Sequence, residues 1–544
     1  MQYIRTYQEA ERNAAARMQE LGFVDAEVTA AGADGGVDIR ATTALAQVKW
    51  RGAAVSRNEV QKLFGARGSA FYKRLLFFAA SEYSMHAIAY ADEHRIALFI
   101  YEPNGALVPR NHTAAELTSA RRSLTTNPRS ASGISTACNA AAHPNANLRE
   151  LKRIRSGDIY KAGHLAAVIA RTDDGGTEFR YTPEYLQCPK DPIASTLPVG
   201  NAPVHVPRGS VPTFFAGLLP EGHRLALLRR AVETSAEDEL SILLAVGADM
   251  PGDIQVFPTG CAPVDVPSLM ECTAIGQAAF DRCVEVVDPH SIPGVQNKAS
   301  ASMISTPIVA GFGRFILKLS QSGYPHLIEN EAAHLAAART LKLAVTDSDL
   351  VHDRSGQPGL LVRRFDRVLD GDTWRRLAFE DATQVLGLPP SAKYNVDSVQ
   401  VVEALAGTVR APLLAARNLY LQFLFAWLTG NGDLHGKNIG VLQDSLGRWA
   451  IAPIYDIPCT LVYDDDSMAL PIVGRTKNLR AKHWAEFAAE IGLPTKAAKS
   501  AQQLALRAAS TVDLDQLRFT GSPLNRTRRE LRLRRGELEH TLDS

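Results

Sequence analysis

Asn431-Gly432-Asp433-Leu434-His435-Gly436-Lys437-Asn438 is the stretch richest in chemistry in the 544-residue chain. Asp433 and Asn438 stand in the spacing Asp-x-x-x-x-Asn that phosphoryl transfer uses. The carboxylate orients or deprotonates an acceptor hydroxyl, and the amide holds Mg²⁺. Further on, Ile454-Tyr455-Asp456-Ile457 sets a second carboxylate after an apolar strand, where it could bind metal. Upstream, Phe315-Ile316-Leu317-Lys318-Leu319 puts one lysine into an otherwise apolar strand. Burying an unpaired ammonium is costly, so a phosphate or a carboxylate such as Glu331 must meet it. Each piece has a bland counterpart: Asp433 capping a turn, Asp456 beginning a loop, Lys318 at a sheet edge, His435 as a structural hydrogen-bonder. Order and spacing favour the joint reading.

A second set lies near the N-terminus. Asp38 follows the turn Ala33-Asp34-Gly35-Gly36, which delivers a carboxylate at the start of a strand. Gln47 and Lys49, two residues apart on the next strand, point to one face. Phosphodiester hydrolysis needs oxygen ligands for Mg²⁺ and a cation near the attacking water and the strained phosphate. Asp38, Gln47 and Lys49 can supply them, and Glu11 on the first helix adds a carboxylate. Alone, an Asp followed by Gln-x-Lys arises often by chance.

The elements that must position these residues fall into blocks. Ala10, Ala14, Met18 and Leu21 predict a helix. Strands follow at Val37–Ala41 and Ala44–Trp50, a helix around Val60–Phe64, a strand at Leu75–Ala79, a helix at Ser84–His94 and a strand at Ile96–Tyr101. That order is a small α/β sheet with helices on its faces. Between Tyr101 and Tyr160 there is no Phe, Tyr or Trp, and such composition cannot bury enough surface to offset its ordering entropy. Residues 1–107 are therefore one domain and 108–148 a flexible linker, with a short helix around Ala114–Leu124. Residues 149–262 open β-rich and turn helical. Residues 263–544 add strands at Arg314–Leu319 and Gly359–Phe365 and helices at Glu329–Leu341 and Leu413–Leu428, which predicts a two-lobed α+β body.

With Lys+Arg 59 against Asp+Glu 58, no global field selects nucleic acid or membrane. The six cysteines form no CxxC pair, so neither zinc site nor disulfide framework is expected. No apolar run nears the roughly 18 residues of a membrane span, and a cytoplasmic protein without membrane contact is predicted. Arg526–Arg535 carries six arginines, which reads as the solvated face of a terminal helix, with nucleic-acid contact as the alternative.

Leu21-Gly22-Phe23, Gly32–Ile39, Ala46–Lys49, Val60–Gly65 and Leu76–Ala79, in that order over nearly all of residues 1–107, resemble the Mrr-like restriction endonuclease domain. That family belongs to the PD-(D/E)xK nucleases, whose members often carry Gln in place of an acidic ligand. The resemblance implies Asp38 and Gln47 as metal ligands, Lys49 as the catalytic lysine, Glu11 as a weaker helix carboxylate, and double-stranded DNA as substrate.

Phe214–Gly222, Ser291–Lys298, Phe315–Leu319, Glu329–Glu331, Val362–Arg367, Gly387–Pro390, Gly430–Asn438 and Ala452–Asp456 resemble the HipA family of serine/threonine kinases, the toxin half of bacterial toxin–antitoxin modules. They keep family order from about residue 150 to about 490. The resemblance implies a phosphate-binding loop at Ser291–Lys298, with Gly294 admitting the nucleotide phosphates and Ser291 an autophosphorylation site. It implies Lys318 on ATP phosphates, Arg364 and Phe365 near the adenine hinge, Asp433 as base, and Asn438 and Asp456 on Mg²⁺. Lys298, Glu331, His435 and Lys437 join the nucleotide-binding set. Implied partners are a protein substrate, of which aminoacyl-tRNA synthetases are known family examples, a HipB-like antitoxin, and a second copy of the chain. The loop departs from the family, reading Gly-Asn-Gly-Asp-Leu-His where members commonly have Gly-Asn-Thr-Asp-Ala-His, and Asn297 and Ala299 are unusual. No metal ligand is lost. Residues 481–544 resemble nothing identified.

The expected fold is thus a restriction-endonuclease-like α/β domain, a linker and a two-lobed HipA-like kinase. The expected function is ATP- and Mg²⁺-dependent protein phosphorylation joined to DNA cleavage, in toxin–antitoxin regulation or defence against foreign DNA. One rival is a DNA-binding regulator whose nuclease fold no longer cuts. The other is a nuclease effector controlled by the kinase through Ser291.

Overall fold

The computed structural model describes residues 4, 6–21, 23, 25–29, 37–50, 54–67, 73–101, 107–122, 148–187, 191–235, 237–263, 280, 303–310, 313–320, 324–371 and 373–542. Its first unit runs α1 (Tyr7–Glu20), β1 (Glu27–Val28), β2 (Ile39–Arg40), β3 (Ala44–Lys49), α2 (Arg57–Ala66), β4 (Arg74–Ala79), α3 (Met85–Glu93), β5 (Ile96–Tyr101), β6 (Leu107–Pro109) and α4 (His112–Arg122). The six strands form one sheet in chain order, with β3, β4 and β5 parallel at its centre and antiparallel pairs outside them. Side chains alternate across the pleat. Leu76, Phe78, Ala97 and Phe99 therefore pack under α1 and α4, while Leu75, Phe77, Ala79 and Leu98 pack under α2 and α3.

The boundary expected at residue 107 moves. β6 pairs with β5, and Ala114 and Leu117 of α4 enter the same core as Tyr101. Asn111 closes the join: its Oδ1 accepts from Leu98 N at 2.9 Å and its Nδ2 donates to Ile96 O at 2.8 Å. One buried polar side chain thus ties in sequence whose composition alone looks like linker.

The second unit is a five-stranded antiparallel sheet, β7 (Ser156–Lys161), β8 (His164–Arg171), β9 (Thr177–Tyr181), β10 (Val204–Val206) and β11 (Ile254–Pro258), in the order β10-β9-β8-β7-β11. α5 (Pro183–Gln187), α6 (Thr213–Leu218), α7 (Gly222–Val232) and α8 (Glu239–Val246) accompany it.

The third unit begins with an antiparallel sheet of β12 (Met303–Ala310), β13 (Gly313–Ser320), β14 (Ser348–His352) and β15 (Pro358–Arg363), ordered β12-β13-β15-β14, with α9 (Leu327–Ala338) packed on it. Two hairpin strands, β16 (Arg367–Asp370) and β17 (Thr373–Arg376), lead to β18 (Phe379–Asp381), which pairs with β19 (Gly440–Gln443); β19 pairs with β20 (Trp449–Ile451). Between them lie α10 (Ala382–Val385), α11 (Ser398–Gly407) and α12 (Pro412–Thr429). From Leu419 to Thr429 every residue of α12 is buried, as expected of a helix apolar all round. α13 (Ala481–Glu490), α14 (Thr495–Ser510) and α15 (Gly521–Leu542) enclose it.

α15 contains the arginine-rich stretch. Arg534 is buried and donates to Trp427 O at 2.9 Å and Asp466 O at 3.1 Å, and Arg535 donates to Ala509 O. Arg526 and Arg528 pair with Asp464 and Asp515. Most of this charge is spent on the protein itself. Cys459 is a free buried thiol, whereas Cys261 is disulfide-bonded, a contact to which linear spacing is blind.

Candidate active sites

β13 alternates buried and half-buried side chains, with Phe315, Leu317 and Leu319 on the buried face. Lys318 is on the other, and its ammonium donates to Glu331 Oε1 at 2.7 Å and to Asp456 Oδ1 at 3.0 Å. The expected carboxylate partner is present, and a second arrives from 138 residues away. Glu331, on α9, is fully buried, and its Oε2 has no hydrogen-bond partner among the described residues. Burial raises its carboxyl to about 7 against the pull of Lys318, with Asp456 pushing the same way. The two carboxylates hold the Lys318 ammonium above its ordinary range despite its burial. Asp456 has a left-handed backbone, φ 56°, a conformation that Asp tolerates better than most residues.

α12 ends at Gly430, φ 74°, where a Cβ would press on Leu461 and Cys459 at 2.9 and 3.0 Å. Glycine is required there on both counts. The chain then enters a wholly buried loop. Asp433 N donates to Asn431 Oδ1 at 2.8 Å, Gly432 N to Thr460 Oγ1 at 2.7 Å, and Asn438 Nδ2 to Asp433 O at 2.9 Å. With its Nδ2 committed, the amide of Asn438 offers Oδ1 as its ligating end. Tyr394 OH donates to Asp433 Oδ1 at 2.7 Å. His435 packs edge-on against Tyr394, 4.9 Å between ring centroids. Its burial, with Lys393 nearby, lowers its pKa to about 3. A neutral structural imidazole results.

Lys437 is engaged within the protein, donating to Gly217 O at 2.8 Å and Glu221 Oε1 at 2.9 Å. Phe365 stands in a ring cluster with Phe379 and Tyr455, at 5.6 and 5.5 Å. Arg364 lies at the joint between the second and third units. It is buried, and its guanidinium bonds Asp249 Oδ2 at 2.7 Å, Asp366 Oδ2 at 2.9 Å and Met250 O at 3.1 Å. Those partners span the joint between the second and third units. Ser291, Gly294 and Lys298 lie outside the described residues.

In the first unit, Asp38 precedes β2. Its N donates to Ala46 O at 2.9 Å and its Oδ2 accepts from Val48 N at 2.7 Å, which sets the carboxylate beside β3. Gln47 Oε1 is buried without a hydrogen-bond partner among the described residues. Glu11 on α1 has its carboxyl raised by burial and then by the charge of Asp38. Two carboxylates that feel each other, with the amide oxygen of Gln47 as a third oxygen donor, are the ligand types that suit a hard divalent cation. Lys49 Nζ donates to Glu59 Oε1 at 2.5 Å. The Glu59 carboxyl is lowered chiefly by that bond and by Ser56 N, which donates to its Oε2 at 2.8 Å as part of the α2 capping box. Among the described residues no group of three His, Cys, Asp or Glu could hold a metal; the set here is two carboxylates and an amide.

Sequence reasoning missed Glu59, Tyr394, Lys393 and Glu221. Ser56-x-x-Glu59 was a visible capping box. Glu221 lay in a quoted motif without a role, and nothing local marked Lys393 or Tyr394.

Residues 6–102 match a family model described as restriction endonuclease, residues 157–257 the HipA N-terminal domain, and residues 290–512 the HipA-like C-terminal domain. The last match takes in much of the stretch from 481 onward that the sequence reading left unidentified. A putative kinase of Sinorhizobium fredii, Y4mE, is 28% identical over 372 residues, 63% of this chain and 87% of its own. The serine/threonine-protein kinase toxin HipA of Shewanella oneidensis is 26% identical over 334 residues, 56% of this chain and 76% of its own. The solved complex of HipA, HipB and operator DNA from Shewanella oneidensis includes a chain that superposes with a TM-score of 0.57 at 20% identity, covering 71% of this chain and 99% of that one. That likeness shows the fold. No helix among the described residues is long and apolar enough to cross a membrane.

Proposed function

The chain joins both domains of the HipA-like kinase family to an N-terminal restriction-endonuclease domain, and from that premise we propose that it is an ATP- and Mg²⁺-dependent serine/threonine protein kinase fused to a Mg²⁺-dependent DNA endonuclease. The observation that carries the kinase half is the buried Lys318–Glu331–Asp456 cluster beside the Asp433–Asn438 loop. Nucleotide phosphates are the anions that Lys318 would serve, and Asn438 and Asp456 would hold the Mg²⁺. The metal supplies charge neutralisation of the transferring phosphoryl group. Asp433, its Oδ1 fixed by Tyr394, orients the acceptor hydroxyl and takes its proton. The test is labelled ATP with purified protein: the wild type labels itself, and Asp433→Ala lowers the rate by roughly 10²–10⁴-fold, the usual worth of a general base. Unchanged labelling removes Asp433 from that role.

For the N-terminal unit, Asp38, Gln47 and Glu11 would hold the metal, and Lys49 would stand by the scissile phosphate. Plasmid should be nicked or linearised with Mg²⁺ and spared by Asp38→Ala. A second reading, DNA binding without cutting, is favoured by one observation, that Lys49 is already neutralised by Glu59; binding without cleavage in any metal would decide for it. A HipB-like antitoxin and DNA as partners are supported by the assembly in which the Shewanella oneidensis relative was solved.

A further inference from the structure

Glu221 follows the turn Leu219-Pro220 and stands as N-cap of α7, with an extended backbone and no side-chain cap bond. The carboxylate that could satisfy its own helix reaches across the joint into the third unit. Its Oε2 accepts from Lys393 Nζ at 2.5 Å and its Oε1 from Lys437 Nζ at 2.9 Å. The side chains of Lys393 and Lys437 are 1% and 3% exposed, so this carboxylate is buried with two ammonium groups. Burial opposes its charge, yet Lys437 and then Lys393 lower its pKa to about 2. It is ionised at every working pH. Asp381, whose charge also acts on Lys437, is engaged instead with Thr383 Oγ1 and Gln384 N.

Each lysine belongs to a segment that holds a site residue. Lys437 lies between Asp433 and Asn438, and its carbonyl accepts from Tyr455 OH at 2.7 Å, next to Asp456. The carbonyl of Lys393 accepts from Gly436 N at 3.0 Å, and the next residue, Tyr394, holds Asp433 Oδ1. Beyond the two lysines, through one further residue at most, Glu221 reaches the base and both metal-ligating positions. We infer that Glu221 is a positioning residue for phosphoryl transfer: the second unit supplies, within the same chain, the carboxylate that sets the Asp433–Asn438 loop.

The inference rests on the kinase reading given above. Without the carboxylate, two buried ammonium groups face each other, and like charges in a poorly solvated site repel. The loop must shift to separate them, and a displacement near 1 Å can cost about 100-fold in rate.

The test uses full-length Glu221→Gln and Glu221→Asp with three readouts: single-turnover transfer from labelled ATP, binding of a fluorescent ATP analogue, and hydrogen exchange of the amides of residues 431–438. Glu221→Gln should lower kcat about 100-fold with nucleotide affinity within about threefold, and Glu221→Asp should recover about a tenth of the rate or more. Exchange in 431–438 should rise while α12 stays protected. Undiminished kcat with unchanged loop protection overturns the inference, as does lost nucleotide affinity at constant kcat. If the wild type transfers no phosphate the kinase reading falls, and loop protection alone then decides the positioning role. Should Glu221→Gln not fold, Lys393→Met, which keeps the Glu221–Lys437 pair, must still slow transfer by loosening Tyr394; an unchanged rate refutes the inference.

Discussion

On the proposed function the two candidate sites would face the same problem, a phosphate ester and a divalent cation, and they are built in opposite ways. The N-terminal set comes from α1, the start of β2 and β3, so Glu11 to Lys49 suffices to make it. Its parts are half-buried, with Gln47 Oε1 unsatisfied and the Lys49 and Glu59 side chains 41% and 27% exposed. The C-terminal set is gathered from β13, α9, the Asp433 loop and the segment after β20. Nearly every charge in it is paired before any ligand is present. In the first site the ligand must complete the arrangement; in the second the protein has already done so, and catalysis gains from groups that need no reorganisation. The cost is that the second site is also part of the core, so changes there should disturb folding and chemistry together. Changes in the first should separate them.

The largest separation is expected at the two lysines, beginning with Lys318→Met. It leaves Glu331 and Asp456 side by side, and breaking a buried pair from one side costs about 3–5 kcal/mol. The low end applies, about 3 kcal/mol, because the Asp456 side chain keeps 26% of its exposure. Urea midpoints should fall accordingly, together with loss of labelling. The cost should grow as pH rises, since the carboxyl of Glu331, already raised by burial, rises further once Lys318 is gone and sheds the repulsion by taking up a proton at lower pH. A variant as stable as wild type would mean that the C-terminal site is no more built in than the N-terminal one.

What was legible in the sequence follows the same division. Local signals marked β3, β4, β5 and the Asp38, Gln47 and Lys49 set, because alternation and short spacing are properties of contiguous chain. They also marked Lys318, since a lone ammonium in an apolar strand demands a partner, and Glu331 was named as that partner. The hidden part depends on contacts far apart in sequence. Asp456 meets Lys318 across 138 residues, and Glu221 meets Lys437 across 216. The motif around Arg364 likewise carries no sign of Asp249, more than a hundred residues upstream. Compositional reasoning erred at residues 107–122, where one asparagine, Asn111, supplies order that the surrounding Ala, Thr and Arg do not advertise.

A smaller effect comes from pH. His435 is held neutral, its pKa lowered to about 3 by burial, whereas in the unfolded chain it titrates near 6.5. Below about pH 6.5 the unfolded state binds the proton and the folded state does not, so stability falls as pH falls through that window toward the folded value. At pH 5.5 one such histidine costs about 1.4 kcal/mol. His334, also buried and lowered to about 4, adds a comparable amount. His435→Gln should therefore remove about 1.2 kcal/mol of acid loss between pH 7 and 5.5 in denaturant titrations. A slope unchanged by the substitution would show that His435 is not held neutral by its surroundings.

Lys49→Ala should give the smallest change in stability and a complete change in function. The Lys49–Glu59 pair is partly solvent-screened, and such pairs are worth less than about 1 kcal/mol. Glu59 keeps Ser56 as partner through the capping box, so its carboxylate is not stranded when the lysine goes. Lys49 has no part in the two hydrophobic layers under the sheet. Unfolding midpoints should stay with the wild type while plasmid cleavage disappears. Glu59→Gln supplies the converse, releasing Lys49 from its anion without removing it. If the pairing holds the lysine in place, cleavage falls. If it masks the lysine, cleavage rises, and the N-terminal site is one that its own capping carboxylate restrains.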